Sequence, residues 1–552
     1  FFILASKAIK SQNNQTKQLP HTTNKLLIRM VGSEIRSKIV GSFKLNGLSL
    51  RSEASKFLVE TLSEVETDEL ETWIEKIIEL VQKQPLNSNF IDRDVVEIAV
   101  NECAQNVDTE GEDAFNVIDV YKVPHYVYSN ERKKFVLSKK KATLFSSPDE
   151  KVDMFVEQYN ILYQRALHHE LFSTTAVAAS SNAKSAKFTL KPIEHLLGSS
   201  SSLGDIIVLG MLSNLKEGKY FLEDPTGAVE LDLSSTIYHE GIFTECTFVL
   251  AEGKYDDQIF HVTALGFPPP EPANISRNLF GNINFFGGPS PICVANSDKM
   301  KALEDDDGYQ SHMFVFLSDL WLDQPKVMSK FKVLLSGYSQ MPPTAFIICG
   351  NFLSQPYGSK HQTVLKNGFK ELANLINMFP SIIESSRFLF VPGPQDPGPG
   401  NILPRPPISK FITEEIRNKI PFCDFLSNPC RLQYCSQEFT IFREDLINKM
   451  CRNSIHLPDD LTNIPNHFVK TIASQAHLCP LPLATRPRYW AYDYVMRLYP
   501  LPDTVICADK FDAYNISHCG TNFVNPGSFA RNEYCFKVYW PANKETEDCK
   551  ID

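Results

Sequence analysis

The chain has 552 residues, a net charge of −10, and 43% hydrophobic against 22% charged residues, so it exceeds one core and about three or four soluble domains are expected. The acidic balance excludes a protein built over its whole surface to hold duplex DNA, and no apolar run reaches the ~20 residues of a membrane-crossing helix. Thirteen cysteines without one Cys-x-x-Cys pair read as buried free thiols of a reducing compartment, not as a zinc site or a disulfide framework.

Residues 1–29 hold five Lys/Arg and no Asp/Glu, and the first Met is Met30. This segment is expected to be a non-native or disordered extension, outside the fold. Residues 30–103 read as a helical domain. Leu70, Trp73, Ile74, Ile77, Ile78 and Val81 repeat at helical spacing, and Phe57, Leu58 and Leu62 mark an earlier helix. Pro85 ends the first of these stretches, and Val95, Ala99 and Cys103 indicate a further helix. Residues 104–186 read as a linker with one helix. They carry an acidic stretch (Asp108 to Asp113), a short strand (His125 to Tyr128) and two basic triplets, Arg132-Lys133-Lys134 and Lys139-Lys140-Lys141. The triplets fit a solvated linker, nuclear import or phosphate contact. Pro148 and Asp149 start the helix, and Ser/Ala-rich sequence at 173–186 ends the segment.

From 187 to 270 the period changes to two. Short strands at Ile206–Leu209, Tyr220–Leu222, Val229–Leu233, Thr247–Leu250 and Ile259–Val262 alternate with turns, which fits a small barrel of the OB type. Asp224-Pro225-Thr226-Gly227 resembles the central hairpin of that fold. Over 186–270, five Lys and no Arg face twelve Asp/Glu, a net charge of −7. Such a barrel repels a phosphate backbone and is expected to contact protein.

Residues 285–552 alternate strands and helices. After Phe314–Leu317 come Ser318-Asp319-Leu320-Trp321; after Ala345–Cys349, Gly350-Asn351; after Phe388–Val391, Pro392-Gly393-Pro394-Gln395-Asp396. Residues at strand carboxyl ends build sites in such sheets. The serial placement resembles the calcineurin-like metallophosphoesterases, whose two metals need carboxylates and imidazoles together. Trp321, Asn351, Gln395, Asp509 and Phe511 stand where that family has ligands. Asp319 and His477 remain, too few for two divalent ions, and each reads better as an ordinary hydrogen-bonding residue. The expectation is therefore a multidomain α+β chain: helical bundle, OB barrel and an inactivated phosphoesterase-type α/β sandwich, with no catalytic, cofactor-binding or metal residues.

An OB barrel before such a sandwich resembles the B subunits of eukaryotic replicative DNA polymerases, and the epsilon form most. Phe285-Phe286-Gly287-Gly288-Pro289-Ser290, Asn401 to Pro407, Asn428-Pro429-Cys430-Arg431, Phe442-Arg443-Glu444-Asp445-Leu446 and Ile464 to Lys470 carry the resemblance. It implies a nuclear, non-catalytic scaffold that binds the zinc-bearing C-terminal domain of a separate catalytic subunit and meets the other small subunits. It implies that the helical domain, similar to the lid of AAA+ ATPases, docks on the GINS part of the replicative helicase. DNA contact is expected only within the complex. Two alternatives compete: a residual phosphoesterase using Asp319, Asp396 and His477, and a single-strand-binding OB module. The aromatic run Tyr489 to Tyr494 fits either an interface or core packing.

Overall fold

The computed structural model describes residues 35–62, 70–84, 89–108, 114–173, 188–281, 283–290, 293–358, 360–458 and 460–551. The segment 1–29, Met30, Pro85, residues 109–113 of the acidic stretch and the Ser/Ala-rich 174–187 lie outside the described residues, as does the Cys103 side chain. The chain divides into two compact units, 1–112 and 113–552.

In the first unit, helices span 35–45, Ser52–Leu62, Leu70–Lys83 and Arg93–Asp108. Ile39, Phe43, Leu58, Ile74, Ile77, Val81, Val96 and Ala99 meet in one core, while Trp73 packs at its margin. The i, i+3, i+4 spacing puts these side chains on facing helix stripes. Two short strands, β1 (Ser49–Leu50) and β2 (Phe90–Ile91), pair in parallel beside them.

The second unit opens with β3 (Phe115–Ile118) and a hairpin of β4 (Tyr126–Ser129) and β5 (Lys134–Leu137). The helix Pro148–His168 begins in a capping box, with Ser147 N donating to Glu150 at 3.0 Å. One face of this helix grips the hairpin. Asp153 pairs with Lys140 at 2.7 Å, Glu157 with His125 at 2.9 Å, and Asn160 accepts from Asn130 at 2.9 Å. The spacing i, i+4, i+7 puts all three on one side.

A closed barrel follows. Its sheet holds β6 (Leu203–Lys216), β7 (Lys219–Asp224), β8 (Gly227–Asp232), β9 (Ile237–Tyr238), β11 (Phe248–Asp256) and β12 (Ile259–Gly266), five of them long, and β11 pairs with both β6 and β12 to close the ring; β10 (Phe243–Thr244) lies outside that sheet. Closure needs a bulge at Gly253, where any Cβ would strike the His261 carbonyl. In the Asp224–Gly227 turn, Asp224 Oδ1 accepts from Thr226 N (2.7 Å) and Gly227 N (3.0 Å), while Oδ2 accepts from Ile193 N (2.8 Å) and ties the helix Ile193–Leu197 to the hairpin.

The rest is a sandwich of two six-stranded sheets. Strands β13 (Phe314–Ser318), β14 (Ala345–Cys349), β15 (Arg387–Val391) and β16 (Cys423–Phe425) are parallel in one sheet. The other holds β17 (Cys430–Tyr434), β18 (Gln437–Arg443), β20 (Thr504–Ala508), β21 (Tyr514–His518) and β22 (Thr521–Asn525); β19 (Ser454–His456) pairs instead with β10 in a sheet of two. The hairpin β23 (Cys535–Trp540) and β24 (Glu545–Lys550) completes the first sheet. Phe316, Ile347, Leu389, Phe439 and Ile506 fill the space between the sheets, while Val315, Phe346, Ile348 and Phe390 point to the outer helices. Burial on both faces explains why these strands read as unbroken apolar runs.

The second sheet also contains β3, antiparallel to β17. This corrects the linker reading of 104–186, because part of that segment is a strand of the sandwich. A strand this short, whose partner is distant in the chain, leaves no local signal.

Candidate functional site

The carboxyl ends of β13, β14, β15, β18 and β20 converge at one edge of the sandwich. Asp319 follows β13 with φ 60°, and its side chain is 3% exposed. Its Oδ1 accepts from Asn351 N at 2.9 Å and Asn351 Nδ2 at 3.3 Å. Arg443, ending β18, sends NH2 to the same oxygen at 2.9 Å. The guanidinium also donates through NH1 to Asp445 Oδ1 (2.7 Å) and Ala508 O (3.2 Å), and through Nε to Gly350 O. Four of its five N–H groups are thereby satisfied. Burial works against its charge, but Asp319 and Asp445 prevail and hold the guanidinium firmly protonated. Burial likewise raises Asp445, yet Arg443 outweighs it and keeps that carboxyl below the usual range.

The other carboxylates at this edge hold backbone. Asp396 accepts from Phe352 N (2.8 Å) and Gly393 N (2.7 Å). Burial pushes its carboxyl up to about 6 despite those bonds. Asp509 accepts from Leu446 N (2.6 Å), Ile447 N (3.0 Å) and Phe511 N (2.9 Å), and burial raises it too. Asn351 Oδ1 accepts from Gln395 N at 2.9 Å. Each strand-end loop is thus bound to the next through a side chain and a main-chain amide.

His477 has other partners. Its Nε2 stands 3.3 Å from Asp493 Oδ1, and its Nδ1 accepts from Cys479 N at 3.0 Å. Arg488 reaches the same Asp493 oxygen at 2.9 Å. Burial lowers His477, whereas His477 and Arg488 overcome burial at Asp493 and hold it below the carboxylate range. Among the described residues, no group of three or more His, Cys, Asp or Glu is placed to hold a metal ion. Trp321 packs on the helical side of the first sheet with Arg531 over its ring at 5.2 Å, and Phe511 packs on the second sheet.

Sequence reasoning missed Arg443. Its one signal was a lone arginine closing the apolar strand Phe439 to Phe442, ahead of Glu444-Asp445. The aromatic run is half-buried: Tyr492 meets Tyr121 edge-on at 5.3 Å, and Tyr494 stacks on His125 at 4.2 Å.

Comparison with known proteins adds the family. The family of the B subunits of DNA polymerases alpha and epsilon matches residues 314–515, so the sandwich is that of a polymerase B subunit. A DNA polymerase epsilon subunit 2-like OB-fold domain matches 148–269, and a DNA polymerases epsilon N terminal family matches 31–103. DNA polymerase epsilon subunit 2 of Homo sapiens is 52% identical over 526 residues, covering 95% of this chain and 99% of its own. The Drosophila melanogaster protein of that name is 38% identical, covering 94% and 98%. A solved archaeal phosphodiesterase aligns with 43% of this chain and 98% of its own at 12% identity and TM-score 0.25. The chain belongs to the DNA polymerase epsilon subunit 2 family.

Proposed function

We propose that this chain is a non-catalytic accessory subunit of the DNA polymerase epsilon complex in nuclear DNA replication. The relatives carry the subunit assignment, and Arg443 carries its non-catalytic part. A buried guanidinium neutralises Asp319 and Asp445 at the strand-end edge, where a phosphoesterase would place its cations. Trp321, Gln395 and Phe511 supply no imidazole there, so the residues present do not fit a pair of divalent ions. The sandwich then serves as framework and surface, and domain limits at 30–103, 187–270 and 285–552, with β3 added to the last, describe its working parts.

The partner is the zinc-bearing C-terminal domain of the catalytic subunit, met by barrel and sandwich together. Supporting this, cavities of 540 and 430 Å³ run along the seam between them and share His239, Glu240, Lys470 and His518. The helical domain at 30–103 links the polymerase to the GINS part of the helicase. Co-purification with the catalytic subunit's C-terminal domain tests the reading. A stable one-to-one complex is expected, and two metal ions per chain together with phosphodiester hydrolysis would overturn it.

A further inference from the structure

We infer that the β4–β5 hairpin and the segment after it form a binding site for a single nucleic-acid strand. Residues 132–141 hold six Lys/Arg and no acid in a chain of net charge −10. Arg132, Lys133, Lys139, Lys140 and Lys141 are all exposed, and only Lys140 among these five makes a side-chain ion pair among the described residues.

The two basic triplets sit at opposite ends of a short, fixed hairpin. Asn130, beside the turn, bonds Asn160, and Lys140 pairs with Asp153 on the same helix. Seven helical residues separate those anchors by about 10 Å, a span matching one or two phosphate steps of an extended strand. Beyond the second triplet, Phe145 is 96% exposed. Its backbone is not loose. Tyr492 Oη donates to Ala142 O at 3.3 Å, and Ala491 N to Ser146 Oγ at 3.2 Å. The chain therefore presents a bare aromatic face on an anchored loop, next to three lysines. Exposed cationic groups and an exposed ring on one anchored segment are what phosphate contact and base stacking require.

An import signal is read as extended chain. Here Lys134 lies in β5, paired with Ser129, and Ser138 N is bonded to His125 O at 2.8 Å. The run is built into a folded surface, which favours a nucleic-acid strand as its occupant.

The test uses the full chain and fluorescence anisotropy with labelled oligo(dT), single or annealed to its complement, across a salt series. The quadruple variant Arg132→Ala, Lys133→Ala, Lys139→Ala, Lys141→Ala changes only exposed side chains. It should weaken binding about tenfold or more and flatten the log–log salt slope by about 3. Phe145→Ala should weaken single-strand binding several-fold with the slope unchanged. Failure of the native chain to bind either form overturns the inference, as does equal affinity in the quadruple variant. Capture of an import receptor by the native chain, with DNA affinity unmoved by the four alanines, also overturns it. Equal binding of duplex with no effect of Phe145→Ala overturns the stacking contact.

Discussion

Arg443 NH2 and Asp319 Oδ1 stand 2.9 Å apart with side chains 0% and 3% exposed, linking the end of a strand in one sheet to the end of a strand in the other. A buried charge is tolerable only when paired, so neither residue can be changed alone. Arg443→Met strips Asp319 of its buried cation and leaves Asp445 with Lys510 alone, at 3.6 Å, and should cost about 3–5 kcal/mol. Combining it with Asp319→Asn should recover part of the loss. Denaturant unfolding of the single and double variants measures both.

If that guanidinium is the cation of the strand-end edge, removal of metal has nothing to act on. Exhaustive chelation should leave the unfolding midpoint of the full chain unchanged, whereas a bound ion adds stability by mass action. Thermal scans with and without chelator decide it, and a fall in Tm on chelation would refute the prediction.

Asp396 gives a pH signature. Its carboxyl is pushed up to about 6 from an ordinary 3.8, so the folded chain holds that proton more tightly than the unfolded one. Its contribution is therefore largest below about pH 4 and disappears as pH rises through about 6. The shift corresponds to roughly 3 kcal/mol. The native chain should lose stability relative to Asp396→Asn as pH rises from 4 to 7, and parallel curves would sink the assignment.

Gly350 tests the crowding behind this edge. A Cβ there would collide with the Asp396 carboxylate and stand 2.6 Å from Gly393 N. Backbone cannot yield as a flexible side chain does, so Gly350→Ala should destabilise by about 3 kcal/mol or more. An alanine at exposed Gly308, where a Cβ meets nothing within 4 Å, is the control.

Gln475 joins sandwich to barrel. Its Oε1 accepts from Phe248 N at 2.8 Å and its Nε2 donates to Phe248 O at 2.7 Å, imitating a strand neighbour. Gln475→Leu leaves both buried groups unpaired, at about 1–3 kcal/mol each. Limited proteolysis should then release the barrel earlier than in the native chain.

The sequence made legible whatever was local. The helical period from Leu70 to Val81, the turn residues of Asp224–Gly227 and unbroken apolar runs such as Ala345–Cys349 are each a local signal, and the strand-end loops followed from them. Arg443 escaped because an ion pair across 124 residues leaves no periodic trace at either end. His477 was read without its partners, since Arg488 lies in a loop and Asp493 in the short 3-10 helix Trp490–Met496, with no repeat to align them. The strand β3 escaped for the same reason as Arg443, at greater distance.

That distance has a consequence in time. Next to β3, Val120 N donates to Ser427 Oγ across 307 residues, with the whole barrel lying between. At about 5–20 residues per second, roughly 15–60 s separate the emergence of the two from the ribosome. Throughout that interval β3 has no partner strand, while the barrel is already complete in sequence. A fragment beginning at residue 285 would never receive it, and would leave β17, buried along its whole length, as an open sheet edge ready to recruit another chain.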